Sequence, residues 1–189
     1  MPDFDQLLLP TPRLRLRPLR AGDAEGLLAV YSDPAVMRYW STPPWTGLDQ
    51  AHSMIAGDAL ALPAGEHLRL GITALAEGAL LGTCSLFHLD GACRRAEIGY
   101  CLGRWAWGRG LMHEALSALL AYGFQSLALN RIEADIDPRN LASARLLGRL
   151  GFRLEGHLRE RWIVAGEVSD SGLYGLLQRD WAAGTHLAA

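Results

Sequence analysis

Gly108 and Gly110 flank Arg109 directly ahead of a segment with helical periodicity. Glycine there lets the backbone come close to a ligand, and a helix start offers unpaired N–H groups and the positive end of a dipole. Together these features form an anion cradle suited to a pyrophosphate. A dinucleotide fold needs G-x-G-x-x-G, but the chain from Gly108 runs G-R-G-L-M-H. The third glycine is missing, and so is an acidic residue ending a strand at the expected distance. All 18 basic residues are Arg. Without Lys, neither a P-loop phosphate grip nor a pyridoxal Schiff base can be built. On its own, G-x-G also fits a tight strand-to-helix turn, so the surrounding elements must decide.

Before the loop, residues 95–102 (R-A-E-I-G-Y-C-L) read as a strand. Ala96, Ile98, Tyr100 and Leu102 share one face; Glu97, Gly99 and Cys101 share the other. After the loop, a helix runs from Leu111 to about Leu127 and buries Met112, Ala115, Leu116, Leu119 and Leu120. A strand over 131–137 follows, and then a short helix N-capped by Asn140, with Leu146, Leu147 and Leu150 as its apolar stripe. Gly151 closes that helix as a left-handed cap, with Phe152 packed behind it.

Upstream, residues 13–18 alternate as a strand, and a helix follows Asp23 to about Tyr31, ended by Asp33-Pro34. A Trp- and Pro-rich stretch (40–45), a second helix (about 49–62) and two hairpin strands (about 67–75 and 79–88, turned at Glu77-Gly78) come next. Downstream, long strands over about 152–164 and 169–179 turn at Ala165-Gly166-Glu167. The order β-α-α-β-β-β-α-β-α-β-β predicts an α/β (α+β) chain with a central mixed, mostly antiparallel twisted sheet of about seven strands. The 189 residues, half of them hydrophobic, suit one domain over 1–189 with a core at about 11–181.

A formal net charge of −2 argues for no nucleic-acid and no membrane footprint. Cys84, Cys93 and Cys101 are odd in number and match no zinc spacing, and His113-Glu114 continues into Ala-Leu-Ser rather than H-E-x-x-H. No metal and no disulfide framework is expected. Asp3 and Asp5 stand where a signal peptide is basic, and no apolar run is long enough to span a bilayer, so a cytoplasmic protein is expected.

Three ordered runs carry a family likeness: A-E-I-G-Y-C-L, W-G-R-G-L-M-H-E-A-L and D-P-R-N-L-A-S-A-R-L-L-G-R-L-G-F. With Leu14-Arg15-Leu16-Arg17-Pro18, Asp23, Asp170, Tyr174 and Asp180-Trp181, they resemble N-acetyltransferases of the RimJ/RimL type in the GNAT superfamily, from about Thr11 to Trp181. The resemblance implies the GNAT fold, splayed between its fourth and fifth strands, and direct acetyl transfer from acetyl-CoA to a primary amine in a ternary complex. It implies that backbone groups of Cys101 and Leu102 pair with the pantetheine arm. Ala106, Trp107, Gly108, Arg109, Gly110, Leu111 and Met112 would hold the pyrophosphate, Asn140 would contact the pantetheine, and Trp40 and Trp45 would wall the acceptor site.

This sequence departs from the superfamily pattern twice. Trp105 stands where Gln or Arg is usual, leaving Arg104 or Arg109 to supply charge. Leu147 stands where a Tyr often serves as general acid, so that mechanism does not carry over. Ser143 is the substitute, its hydroxyl placed by helical spacing toward the wedge and able to donate to the coenzyme sulfur; the alternative is a small residue for close packing. Glu97 is the base candidate, the alternative being a solvated or ion-paired strand residue. Arg139, Arg145 and Arg149 read as a solvated helix face, Cys101 as no nucleophile, and His88, His113 and His157 as residues without partners. The acceptor implied is a protein N-terminus, as for the ribosomal-protein enzymes, or a small amine such as an antibiotic, polyamine or amino acid. A homodimer and a non-catalytic acyl-CoA-binding regulator are left open.

Overall fold

The computed structural model describes residues 4–76 and 78–185; Glu77, half of the turn read at Glu77-Gly78, lies outside the described residues. Among the described residues, eight strands form one open sheet: β1 (Leu9–Pro10), β2 (Leu14–Arg17), β3 (Leu68–Ala74), β4 (Leu80–Asp90), β5 (Arg95–Leu102), β6 (Arg131–Ile136), β7 (Arg153–Val164) and β8 (Glu167–Leu177). Their spatial order is β1-β2-β3-β4-β5-β6-β8-β7. Every neighbouring pair is antiparallel except β5–β6, which is parallel.

Among the described residues, six α-helices flank the sheet: α1 (Ala24–Tyr31), α2 (Pro34–Met37), α3 (Leu48–Ala64), α4 (Leu111–Ala121), α5 (Leu141–Arg149) and α6 (Gln178–Thr185). The alternation read in β5 decides which helices cover which face. Ala96, Ile98 and Leu102 enter the main core with Leu70, Ile72, Leu86, Leu116, Leu119, Ile132 and Leu147. Cys101 points the other way, into a second cluster with Leu27, Val30, Tyr31, Met37, Ala51 and Leu80 from the α1–α3 layer. The sheet is thus a partition with α4 and α5 on one side and α1 and α3 on the other.

Three additions to the predicted elements have local causes. Asp33 does not merely end α1; its Oδ1 accepts from Ala35 N at 2.9 Å and caps the one-turn α2, with Pro34 at the first helical position. The helix after the glycine loop is α-helical only to Ala121 and finishes in a wider π turn over Tyr122–Ser126. Gly123 lies in that turn, where an added Cβ would come within 3.1 Å of Ile132, so the turn lies flat on the sheet. The last strand stops at Leu177, opposite the first residue of β6, and the chain becomes α6 instead of extending to 179.

Two buried polar ties orient the layers. Arg17 on β2 grips Asp23 with two parallel bonds of 2.7 and 2.8 Å, fixing where α1 begins. Asp58 on α3 accepts from Arg69 and pairs with His67, both of which lie on the β3 side; its second oxygen has no partner among the described residues.

Candidate active site

The parallel β5–β6 ladder is only three residues long, Arg95–Glu97 against Arg131–Glu133. Beyond it β5 stays with β4 as far as Leu102, while β6 stays with β8 as far as Ile136. The sheet therefore opens between β5 and β6, as the family resemblance implied, and Glu97 stands at the fork. Arg94 O accepts from Asn130 N and Arg131 N, so the even-numbered residues of this stretch turn their backbone groups toward β6. Gly103 N donates to Leu81 O, so the odd ones turn toward β4. The open edge accordingly belongs to Ile98, Tyr100 and Leu102. Cys101, assigned to the pantetheine edge from the sequence, has its backbone turned to β4, one residue out of phase. Leu102 O already accepts from Trp107 Nε1 at 2.7 Å, which folds the loop back onto the end of β5.

That loop is built around two left-handed residues, Gly108 and Gly110, each at φ +72°. A Cβ on Gly108 would meet nothing within 4 Å, so the space in front of the backbone is open. The first α-helical bond of α4 is donated by Glu114 N to Gly110 O, leaving the N–H groups of Leu111, Met112 and His113 without partners inside the helix. Open space beside glycine backbone and a helix start suits the diphosphate of coenzyme A.

Glu114 pins this cradle to the sheet. Its carboxylate accepts from Thr11 Oγ1 (2.6 Å), Arg13 N (2.8 Å) and Arg13 Nε (2.6 Å), and Arg13 Nη1 also holds Arg109 O at 3.0 Å. Burial works to raise the Glu114 pKa, but the Thr11 and Arg13 bonds outweigh it and hold the carboxyl below its ordinary range. Sequence spacing could not have found Arg13, which sits nearly a hundred residues away and comes within 3.8 Å of where a Gly110 side chain would begin. Arg104, one of the two expected charge donors, is instead tied to Asp33 at 3.0 Å. Arg139 is likewise locked, between Asp137 and Glu167.

The two candidate catalytic groups sit on opposite sides of the partition. Glu97 is on the α1–α3 side, partly exposed, with Oε1 at 2.9 Å from His88 Nδ1. His88 therefore has a partner, contrary to the sequence reading. A bulge in β4 puts it in the left-handed region (φ 49°), and this aims its ring at Glu97. His157 has one too, Asp170 at 2.7 Å. Ser143 is buried on α5, on the other side, and its Oγ lies 2.5 Å from the hydroxyl of Tyr100. Asn140 caps α5 by accepting from Ser143 N at 3.1 Å, so its carbonyl oxygen is engaged within the helix. Leu147 is fully buried in the core, where no proton donor is needed. Burial pushes the Cys101 thiol up to about 12, which leaves it un-ionised and no nucleophile.

Trp45 stacks on Tyr31 (4.5 Å, 16° between planes), and Trp40 meets the same ring edge-on at 5.7 Å. Trp45 also lines an open cleft of about 500 Å³ with Asp49, Gln50, Ser53, Met54 and Arg69. Arg69 pairs across β3–β4 with Ser85, and Ser85 pairs with Gly99 on β5. The cleft floor is thus two strand spacings, about 10 Å, from the β5 edge. Among the described residues, no cluster of His, Cys, Asp and Glu could hold a metal, and no helix is long and apolar enough to cross a membrane.

Residues 13–153, from the arginine beside the cradle to just past α5, match the acetyltransferase (GNAT) domain family. The chain belongs to that family. It is an acetyl-CoA-dependent acyltransferase of the GNAT type. An uncharacterized N-acetyltransferase, p20 of Bacillus licheniformis, is 41% identical over 91% of this chain and 97% of its own. The [ribosomal protein uS5]-alanine N-acetyltransferase of Escherichia coli is 29% identical over 93% of each chain. Spermidine N-acetyltransferase from Vibrio cholerae, solved with CoA and spermine, shares the fold with a TM-score of 0.79 at 24% identity, covering 89% of this chain and 98% of that one.

Proposed function

We propose that this GNAT enzyme acetylates the N-terminal α-amine of a protein or peptide, with Glu97 as base and Ser143 as the donor that steadies the leaving sulfur. Acetyl-CoA supplies a thioester carbonyl, which a neutral amine attacks as the C–S bond breaks and its electron pair goes to sulfur. The Gly108–Met112 loop holds the diphosphate, and the open edge at Ile98, Tyr100 and Leu102 orients the arm. Glu97 takes the amine's proton, directly or through one water, on the α1–α3 side of the sheet. Ser143 offers its hydroxyl from the opposite side. Three residues of strand separate Glu97 from Tyr100, about 10 Å, so acceptor and leaving group do not compete for space.

The acceptor cleft carries the choice of substrate class. Its one acid, Asp49, is offset by Arg69, which is itself paired with Asp58, so the cleft is near neutral and lacks the acidic cluster that a polycation such as spermidine would need. Peptide carbonyls would instead find a donor, with Trp45 and Met54 for side chains. The ribosomal-protein relative supports the same reading. A cytoplasmic setting, where the three thiols stay reduced, suits it as well. The test is a peptide length series. At about 3.3 Å per residue, the third residue of an extended acceptor reaches the cleft, so KM should fall steadily from an amino-acid amide to a tripeptide and then level. An amino-acid amide used as well as a tetrapeptide would sink the peptide reading.

A further inference from the structure

We infer that Tyr100 is a positioning residue: its hydroxyl donates to Ser143 Oγ and so turns the serine's own proton toward the β5–β6 opening. The inference rests on the role given to Ser143 above and adds the group that makes the serine a directed donor. Three observations carry it. The two oxygens are 2.5 Å apart, and both side chains face the same side of the sheet. Ser143 is buried, and its backbone N–H is donated to Asn140 Oδ1, which leaves the side-chain hydroxyl uninvolved in that cap. Among the described residues its Oγ has no partner but Tyr100, so a buried hydroxyl that could both donate and accept has one function satisfied and one left over.

Acid strength decides which function is left. A phenol is a stronger acid than an alkyl alcohol, so Tyr100 donates and Ser143 accepts. The serine proton remains free, and the open direction is the mouth of the splay, where Tyr100 itself lies on the unpaired edge. Burial pushes the Tyr100 phenol up to about 12, far above the ~8.5 of an ordinary thiol. Tyr100 therefore keeps its proton throughout. The pair holds by hydrogen bonding the negative charge that the broken C–S bond leaves on sulfur, while the proton lost by the amine goes to Glu97.

The experiment compares Tyr100→Phe, Ser143→Ala and the double variant, each with thermal melting to establish that it is folded. Tyr100→Phe keeps the packed ring and removes only the hydroxyl. Ser143→Ala should lower kcat on the order of a hundredfold. Tyr100→Phe should lower it about tenfold, the worth of one hydrogen bond, with KM for acetyl-CoA unchanged. The double variant should be no slower than Ser143→Ala, because Tyr100 acts through the serine.

A binding measurement supplies a second readout: calorimetry of coenzyme A against desulfo-coenzyme A at about pH 9.5, where the free thiol is mostly ionised. The wild type should prefer coenzyme A by about tenfold, and both single variants should lose most of that preference. A Tyr100→Phe enzyme with wild-type kcat and wild-type preference overturns the inference, and so does a double variant whose loss is the product of the single losses. Wild-type turnover in Ser143→Ala overturns the role of the serine itself, a result distinct from either of those.

Discussion

Glu97 is the last residue of β5 with a partner in β6, and that position gives it access to the opening without leaving the sheet. The residue type and its strand face are legible in A-E-I-G-Y-C-L. Its partner is not, because His88 reaches it only through a β4 bulge and a left-handed backbone, and neither has a period that a strand pattern reveals. Ser143 is legible as a residue facing the sheet, whereas Tyr100 reads only as core. The two meet because α5 crosses over the β5 edge, a relation that 43 residues of separation conceal. If Glu97 is the base, Glu97→Gln should depress kcat most below the acceptor's own pKa, about 8 for an α-amine. The defect should shrink as pH rises and the free amine accumulates. A pH–rate profile on one good peptide measures this, and a defect constant with pH would assign Glu97 a structural role only.

At the scale of elements, the cradle depends on backbone conformation more than on side chains. Gly110 holds φ +72°, where a β-branched residue is strained, and a side chain there would begin 3.8 Å from the Arg13 guanidinium that holds the loop. Gly110→Val should cost about 1–3 kcal/mol of stability. It should also abolish most of the thermal shift given by saturating acetyl-CoA, a gain of about 2.7 kcal/mol at a hundred times Kd in the wild type. A full acetyl-CoA shift in the variant would mean that the diphosphate lies elsewhere.

The Arg17–Asp23 tie governs α1 and with it the aromatic wall. Burial tends to raise the Asp23 pKa, but the Arg17 bonds and the Arg20 amide prevail and hold it below the usual carboxylate range. Its stabilisation is therefore complete above the unfolded value of about 3.9 and fades as pH falls through the lower folded value. Asp23→Asn should cost about 3 kcal/mol near neutrality by stranding Arg17. In urea melts the gap to wild type should narrow below about pH 3.5; a gap independent of pH would deny the ion pair its part. The loop and the tie were legible to different degrees. G-R-G before a helix marked the cradle, but Arg13 and Glu114, which hold it, meet only when β2 packs beside α4.

For the molecule as a whole, the sheet is a partition with a gap, and the proposed function gives each substrate a side. Strand and helix periods foretold a single mixed, mostly antiparallel sheet. The short β1, α2 and α6 went unread because each has four residues or fewer of regular pattern or begins inside an apparent strand. The proposed assignment of the α1–α3 side to a peptide α-amine is the central claim, and it rests on the polar, near-neutral cleft and on Glu97 at the fork. Its most direct test is coenzyme A release measured side by side on three acceptors. These are a tetrapeptide with a free N-terminus and no other amine, the same peptide N-blocked with one internal Lys, and spermidine. The account predicts turnover of the free N-terminus with kcat/KM at least about a hundredfold above the other two, the lower pKa of the α-amine and the cleft acting together. Spermidine or the blocked lysine peptide turned over as well as the free N-terminus would contradict it.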